Sequence, residues 1–232
     1  MKSIRTLALV TGLLALSGVS QAQVSSTWTA VSDYDFRGYS QSAKNPALQA
    51  SIDYTAGESG FSAGAWASNV DFGNDEDMEL DIYANYALKI NDIMTFTVGA
   101  TEYTYPLGND TGNYPEFYIG ANLGNFSIKQ WFSDDFYAGD ESAAYTELNY
   151  TQPIGDKFSL AFHGGYSWGN YWDQVNGEKV IDYAVQANYT AGNFIIFAKF
   201  TGTDADDSKV TADVGNNEPR GLIGVMTTFP WK

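Results

Sequence analysis

The chain has 232 residues, with 12 Lys+Arg against 28 Asp+Glu and no cysteine. So acidic a balance argues against nucleic acid as a partner, and without disulfides the fold must hold through hydrogen bonding and burial. Aromatic residues are 16% of the chain and Gly numbers 23, yet no apolar run after residue 22 approaches a membrane-helix length, which points to strands with one wet face.

The N terminus reads as a targeting segment. Lys2 and Arg5 supply a positive start, Leu7 to Leu16 a short apolar run, and Ser20-Gln21-Ala22 the small-x-small cleavage pattern. A run of about ten residues is too short to cross a bilayer of about 30 Å as a helix. A signal peptide over 1–22 is therefore expected, leaving 23–232 as one domain with 10 basic against 28 acidic residues.

After Ala22 the dominant pattern is alternation with period two. Over 78–89, Met78, Leu80, Ile82, Ala84, Tyr86 and Leu88 share one face, against Glu79, Asp81, Tyr83, Asn85, Ala87 and Lys89. The stretches 158–168 and 180–191 repeat it. The predicted strands cover 26–39, 46–57, 60–71, 77–90, 93–106, 114–124, 125–137, 142–153, 156–168, 179–191, 193–203 and 218–229. No segment shows a helical period. Tight turns fall at 57–60, 91–92, 124–125, 155–156 and 191–193, and longer polar loops at 40–45, 72–76, 107–113, 138–141, 169–178 and 204–217. Short turns at one end and long loops at the other, with an even strand count, match an outer-membrane barrel with both termini on the periplasmic side.

Aromatic residues gather beside the tight turns: Tyr54, Phe61, Phe126, Tyr150, Phe158, Tyr189 and Phe194. Rings at one level are what a membrane interface selects. A soluble β-sandwich also alternates, but the leader, the loop rhythm and the strand length favour the barrel. Because hydrocarbon cannot satisfy a free sheet edge, the last strand must close on the first. That last strand alternates Ile223, Val225, Thr227, Phe229 and Trp231. The fold class expected is all-β: a single closed antiparallel transmembrane barrel of about twelve strands.

Several stretches resemble the TorF-type porin family of proteobacteria, long catalogued without a function. They are Asp33-Tyr34-Asp35-Phe36-Arg37-Gly38-Tyr39-Ser40-Gln41-Ser42, Pro46-Ala47-Leu48-Gln49, Gly64-Ala65-Trp66-Ala67-Ser68-Asn69-Val70, Met78 through Tyr86, and the milder Asn113 through Tyr118. The resemblance is strongest over 33–86. It implies a porin in the outer membrane. The tail departs from it: Pro230-Trp231-Lys232 follow Phe229, which leaves the end of the final strand open.

On the expected inner face the acids are Asp33, Asp35, Asp53, Glu79, Asp81, Glu116, Glu147 and Asp182, and the bases Arg37, Lys129 and Lys199, with Lys89 at a turn. Gln49 and Tyr83 join them there. Glu79, Asp81, Glu116, Glu147 and Asp182 all lie early in strands descending from long loops, so an acidic ring near the outer mouth is expected. Such a ring attracts cations; interior charges that merely neutralise one another are the alternative. Arg37 either makes a structural ion pair or grips an anionic solute group. The outer loops are acidic, and Asp204-x-Asp206-x-Ser208 lacks the Gly and distal Glu of a calcium loop. No metal ligand set is assigned; loose divalent cations at these loops are the expectation. His163 shares a face with Ser159 and Ser167, but each is four residues away along a strand, about 13 Å, beyond the reach a catalytic triad needs.

These features lead to a passive channel for small polar solutes, favouring cations, embedded in outer-membrane lipid, with no catalytic residue and no cofactor. Two other readings stand beside it. One is a barrel plugged by inward Tyr83, Tyr118, Trp131 and Tyr145 in a structural or adhesive role; the other is a lipid-modifying barrel enzyme.

Overall fold

The structure, a computed structural model, describes residues 22–107, 112–175, 179–205 and 213–231. The expected signal peptide, apart from Ala22, and the loop positions Asp206 and Ser208 lie outside the described residues. The strands are β1 (Gln23–Val31), β2 (Asp35–Phe36), β3 (Tyr39–Ser40), β4 (Ala47–Thr55), β5 (Phe61–Asn69), β6 (Met78–Lys89) and β7 (Met94–Thr104). They continue as β8 (Tyr114–Leu123), β9 (Phe126–Ser133), β10 (Ala143–Ile154), β11 (Phe158–Trp168), β12 (Val180–Ala191), β13 (Phe194–Thr203) and β14 (Arg220–Phe229). All but β2 and β3 form a closed barrel in which each strand pairs antiparallel with its neighbour in sequence. β1 closes it, pairing with β4 from Gln23↔Thr55 to Val31↔Ala47 and with β14 from Ser26↔Phe229 to Val31↔Gly224. The twelve-strand expectation holds.

The period-two pattern places the side chains as expected. On β6, Ile82, Tyr86 and Leu88 are exposed on the outside while Glu79 and Asp81 are buried inside. Every wall strand carries exposed large apolar residues on its outward face, among them Trp28, Ile52, Val98, Ile119, Leu148, Val185 and Ile223. Moving one such side chain from water to an apolar medium is worth roughly 1.5–3 kcal/mol. A belt of them around a closed sheet is stable where hydrocarbon surrounds it. Among the described residues no helix is long and apolar enough to cross a membrane; the strands do the crossing.

The short turns take their shape from glycine. Gly124 (φ 60°) and Gly192 (φ 63°) each open a two-residue connection, β8 to β9 and β12 to β13, in the left-handed region that a tight hairpin demands. Aromatic rings flank these turns on the outside: Phe126 contacts Tyr150 with centroids 4.4 Å apart, and Phe158 contacts Tyr189 at 4.8 Å. At the chain's end Trp231 stacks on Phe229 at 4.7 Å and donates to Thr227 Oγ1, so residues 230–231 extend this aromatic level while the strand stops at Phe229.

Three expectations change. The first strand ends at Val31, not 39, and residues 32–46 turn into the barrel. Asp33 is captured there by the Ser40 and Ser42 hydroxyls, and the chain reverses between β2 and β3 at Arg37 (φ 52°) and Gly38 (φ 89°). Strand β9 stops at Ser133, short of 137, and a tight turn over Phe136–Ala138 follows, with Tyr137 (φ 55°) and Ala138 (φ 49°) in the left-handed region. The loop after β11 holds a six-residue helix, α1 (Asn170–Val175), too short to show a period in sequence.

Candidate functional site

The barrel interior has two unlike halves. Its periplasmic half is lined by small polar groups that stay half-exposed, including Thr27, Asp53, Asn85, Asn122, Ser127, Asn149, Ser159 and Asn188. The outer half is filled by segment 32–46 and by rings from the long loops. Two apolar clusters lie there: one holds Tyr103, Tyr114, Phe136 and Trp172, with Phe36 and Tyr39 of the segment against it; the other holds Val31, Tyr34, Tyr105 and Leu222.

Segment 32–46 crosses the lumen as a bar tied at both ends. On one side Arg220, at the start of β14, donates from Nε to Asp33 at 2.6 Å, from Nη2 to Asp35 at 2.7 Å and from Nη1 to the Gly38 carbonyl at 2.8 Å. Lys199 Nζ on β13 reaches Asp35 at 2.6 Å, and Thr201 donates to the same carboxylate. Across the barrel Arg37 Nη2 meets Glu116 of β8 at 2.6 Å. The guanidinium lies over the rings of Tyr145 at 4.1 Å and Phe36 at 4.7 Å. Burial works against the Arg37 charge, but Glu116, with smaller help from Tyr103 and Tyr114, holds its pKa above the ordinary value. Tyr34 donates to Glu79 of β6 at 3.3 Å and packs edge-on against Trp66. Burial pushes the Tyr34 phenol well up, and the charges of Glu79 and Asp81 push it further, so it stays a donor.

Asp33, Asp35 and Arg37 therefore sit on the bar rather than on a wall strand, and Arg37 makes a structural pair with Glu116. Gln49, Asp53, Glu79, Asp81, Tyr83, Glu116, Lys129, Glu147, Asp182 and Lys199 all face inward from the wall, and Lys89 pairs with Asp92 at a turn. The five acids expected as an open ring do lie in the outer part of the wall, but Glu79, Asp81, Glu116 and Asp182 are buried beneath the bar. Lys129 and Glu147 approach to 3.9 Å. Arg220 is the base missed in sequence. Its even-numbered position, on the Leu222 face and opposite Ile223, was the available signal.

The inward rings do not project across the lumen. Each of three lies over a glycine on the neighbouring strand: Tyr83 over Gly64, Tyr118 over Gly99 and Tyr145 over Gly165. A Cβ at Gly64 would meet the Tyr83 ring at 2.8 Å, and one at Gly99 would collide with Tyr118. Trp131 leans on Tyr118 at 4.5 Å and donates to Glu147 at 3.1 Å, with Lys129 Nζ 4.5 Å from the Tyr118 ring centre. The rings panel the wall; the outer half is filled by the bar and loops instead. His163 has Asn149, Asp182 and Tyr145 as polar neighbours, at 2.7, 2.8 and 2.9 Å.

A closed twelve-strand sheet with an apolar exterior and a polar, charge-lined interior is an outer-membrane β-barrel of the porin fold. The chain belongs to a bacterial family described as being of unknown function (Gcw_chp), which it matches over residues 15–229. That description carries neither a TorF name nor an activity. No curated protein matches the sequence. Among solved structures the barrel is similar to the KdgM porin, with a TM-score of 0.57 at 11% identity, covering 88% of this chain and 99% of that one. The NanC porin gives 0.56 at 14% identity with the same coverages. A structure of the KdgM porin in complex with disordered oligogalacturonate gives 0.56 at 11% identity. At such identities the likeness concerns the fold, not the solute.

Proposed function

We propose that this barrel is a porin-like channel through which small polar solutes diffuse, with segment 32–46 setting how large they can be. The observation that carries this reading is the handling of the inward rings. Side chains alone fill an eight-strand barrel, whereas sixteen or more strands leave a channel. Here the paired glycines let large rings lie flat, keeping room in a twelve-strand barrel that would otherwise fill. Oligogalacturonate, which the KdgM structure holds, is an acidic sugar. In this interior Asp33, Asp35, Asp53, Glu79, Asp81, Glu116, Glu147 and Asp182 face only Arg37, Lys129, Lys199 and Arg220 as fixed positive charges. An anionic solute meets net repulsion there, so neutral and cationic solutes are favoured. The acidic outer loops, with Asp71, Asp75, Asp134, Asp140 and Asp213, add to that bias and attract divalent cations loosely.

One observation favours a second reading. The outer half is so completely buried that the bar could close the barrel for good, leaving a structural or adhesive protein. Liposome swelling with small sugars and amino acids separates the two. Swelling by the refolded native barrel is expected. If only a variant lacking residues 34–43 swells vesicles, the filled-barrel reading replaces the channel.

A further inference from the structure

The interior acids divide by what neutralises them. Glu116 has Arg37, Glu147 has Lys129, and Asp33 and Asp35 have Arg220 and Lys199, while Asp182 is held by hydrogen bonds from the His163 ring at 2.8 Å and the Tyr145 hydroxyl at 3.1 Å. Among the described residues, Asp53, Glu79 and Asp81 have no Lys, Arg or His partner. Hydroxyls hold Asp53 (Ser51 and Tyr83) and Glu79 (Tyr34), and the Glu79 and Asp81 carboxyls hydrogen-bond to each other.

All three lie on one wall. The strand register places Asp53 level with Gly64 and Tyr83, Ser51 level with Trp66 and Asp81, and Gln49 level with Ser68 and Glu79. Three successive inward rows across β4, β5 and β6 thus carry one carboxylate each. The rows are two residues apart, about 6.6 Å along a strand. The lowest, Asp53, is half-exposed in the periplasmic half of the lumen; the highest, Glu79, lies under Tyr34. Between them Asp81 is only 8% exposed, sits beside Glu79, and its Oδ1 has no hydrogen-bond partner. A buried carboxylate oxygen with neither donor nor base is costly, and a nearby positive charge relieves it. Among the described residues no three acidic or His side chains converge on a point as a metal chelate would require. Carboxylates set at two levels, Asp53 below and the Glu79–Asp81 pair above, hold a cation weakly at each and let it leave for the next.

Building on the channel reading, we propose that Asp53, Asp81 and Glu79 form a ladder for small monovalent cations, running up the β4–β6 wall to the bar. The Tyr34 hydroxyl caps its top rung. The neutralised pairs on the remaining strands frame the lumen and contribute little to selectivity.

The test uses the full mature barrel refolded into planar bilayers under a KCl gradient, with swelling in a neutral sugar measured on vesicles of the same preparations. The native barrel should prefer K⁺ over Cl⁻. One unit charge about 7 Å away in water shifts a cation's occupancy roughly threefold. Asp53→Asn should therefore lower the permeability ratio about threefold, Glu79→Gln and Asp81→Asn should each lower it, and the triple variant should lower it most. Glu102→Gln, which removes an acid from the outward face of β7, should leave the ratio in place. If the triple variant keeps the native ratio while neutral sugar still enters, the ladder is wrong and the channel stands. If neither K⁺ nor sugar passes the native barrel or a Tyr34→Ala variant, the channel reading fails and takes the ladder with it. Should the triple variant not fold, Asp53→Asn alone decides, because that residue lies in the half-exposed lower lumen. A native ratio there overturns the ladder.

Discussion

Arg220 holds more of the bar than any other wall residue, so its removal gives the sharpest perturbation. Arg220→Ala deletes the bonds to Asp33, Asp35 and Gly38 while leaving Arg37–Glu116 and Lys199–Asp35 in place. The Arg220 side chain is 10% exposed and those of its two acids 4% and 5%, so solvent screening offers little relief. Removing one partner of a buried ion pair costs about 3–5 kcal/mol. The barrel keeps its strand pairing in either state, so this cost falls on the docked bar. The docked-to-undocked ratio should drop by roughly two to nearly four orders of magnitude. Because the chain has no cysteine, a single engineered thiol reports the change cleanly. Ala43 is buried within the segment at 8% exposed, and Ala43→Cys adds one atom there. A membrane-impermeant maleimide should label Ala43→Cys at least about a hundredfold faster in the Arg220→Ala background, and single-channel conductance should rise with it. Arg220→Lys should fall between, keeping the charge but losing the fork that serves two carboxylates. Equal labelling rates in the native, Arg220→Ala and Arg37→Ala/Arg220→Ala backgrounds, with the barrel intact, would refute the claim that these pairs hold the bar.

Gly99→Ala should push the Tyr118 ring off the wall, lowering single-channel conductance and costing about 1–3 kcal/mol in urea unfolding, the usual penalty of overpacking. Val98→Lys, one residue away but facing lipid, should cost about 2–4 kcal/mol in folding titrations into vesicles, while Asn85→Lys, facing the lumen, should cost much less. Gly192→Ala, at a turn with φ 63° and open space for a methyl group, should cost about 1 kcal/mol through backbone strain alone. Intact-mass measurement of the exported protein should find it beginning at Gln23, where β1 starts.

The wall was legible because one physical rule governs every strand: odd and even side chains meet different media. Ile82 and Asp81 reveal β6 without any knowledge of its neighbours, and Gly124-Asn125 announces its turn by the φ that glycine alone takes cheaply. The bar was not legible for the same reason. Tyr34 and Phe36 alternate with Asp33 and Asp35 as a wall strand would, and alternation cannot say whether a stretch continues up the wall or folds inside it. What decides is the set of distant partners, Arg220 and Lys199 for the acids and Glu116 for Arg37, which no local window contains. Gly38 was the one local cue, a glycine inside a strand pattern that marks a reversal. The acidic ring was read at the right height but as open to water, because the count of inward charges does not show which of them are already matched.

That matching bears on how selectivity is built. A charge facing a base at 2.6 Å, as Glu116 faces Arg37, presents a dipole to a passing ion, and its field fades within a few ångströms. An acid held by hydroxyls alone, as Asp53 is by Ser51 and Tyr83, has no base beside it to cancel its field toward the lumen. Net charge summed over the interior therefore understates the difference between walls. The half from β8 round to β14 carries Lys129, Lys199 and Arg220, which with Arg37 of the bar match the acids there and on the bar except Asp182, which His163 holds; among the described residues the β4–β6 wall carries acids alone above Lys89, which pairs with Asp92 at the turn. A solute in a lumen narrowed by the bar cannot stay equidistant from both. It runs along one wall, and the wall it follows, rather than the average over the barrel, fixes the sign of charge that passes.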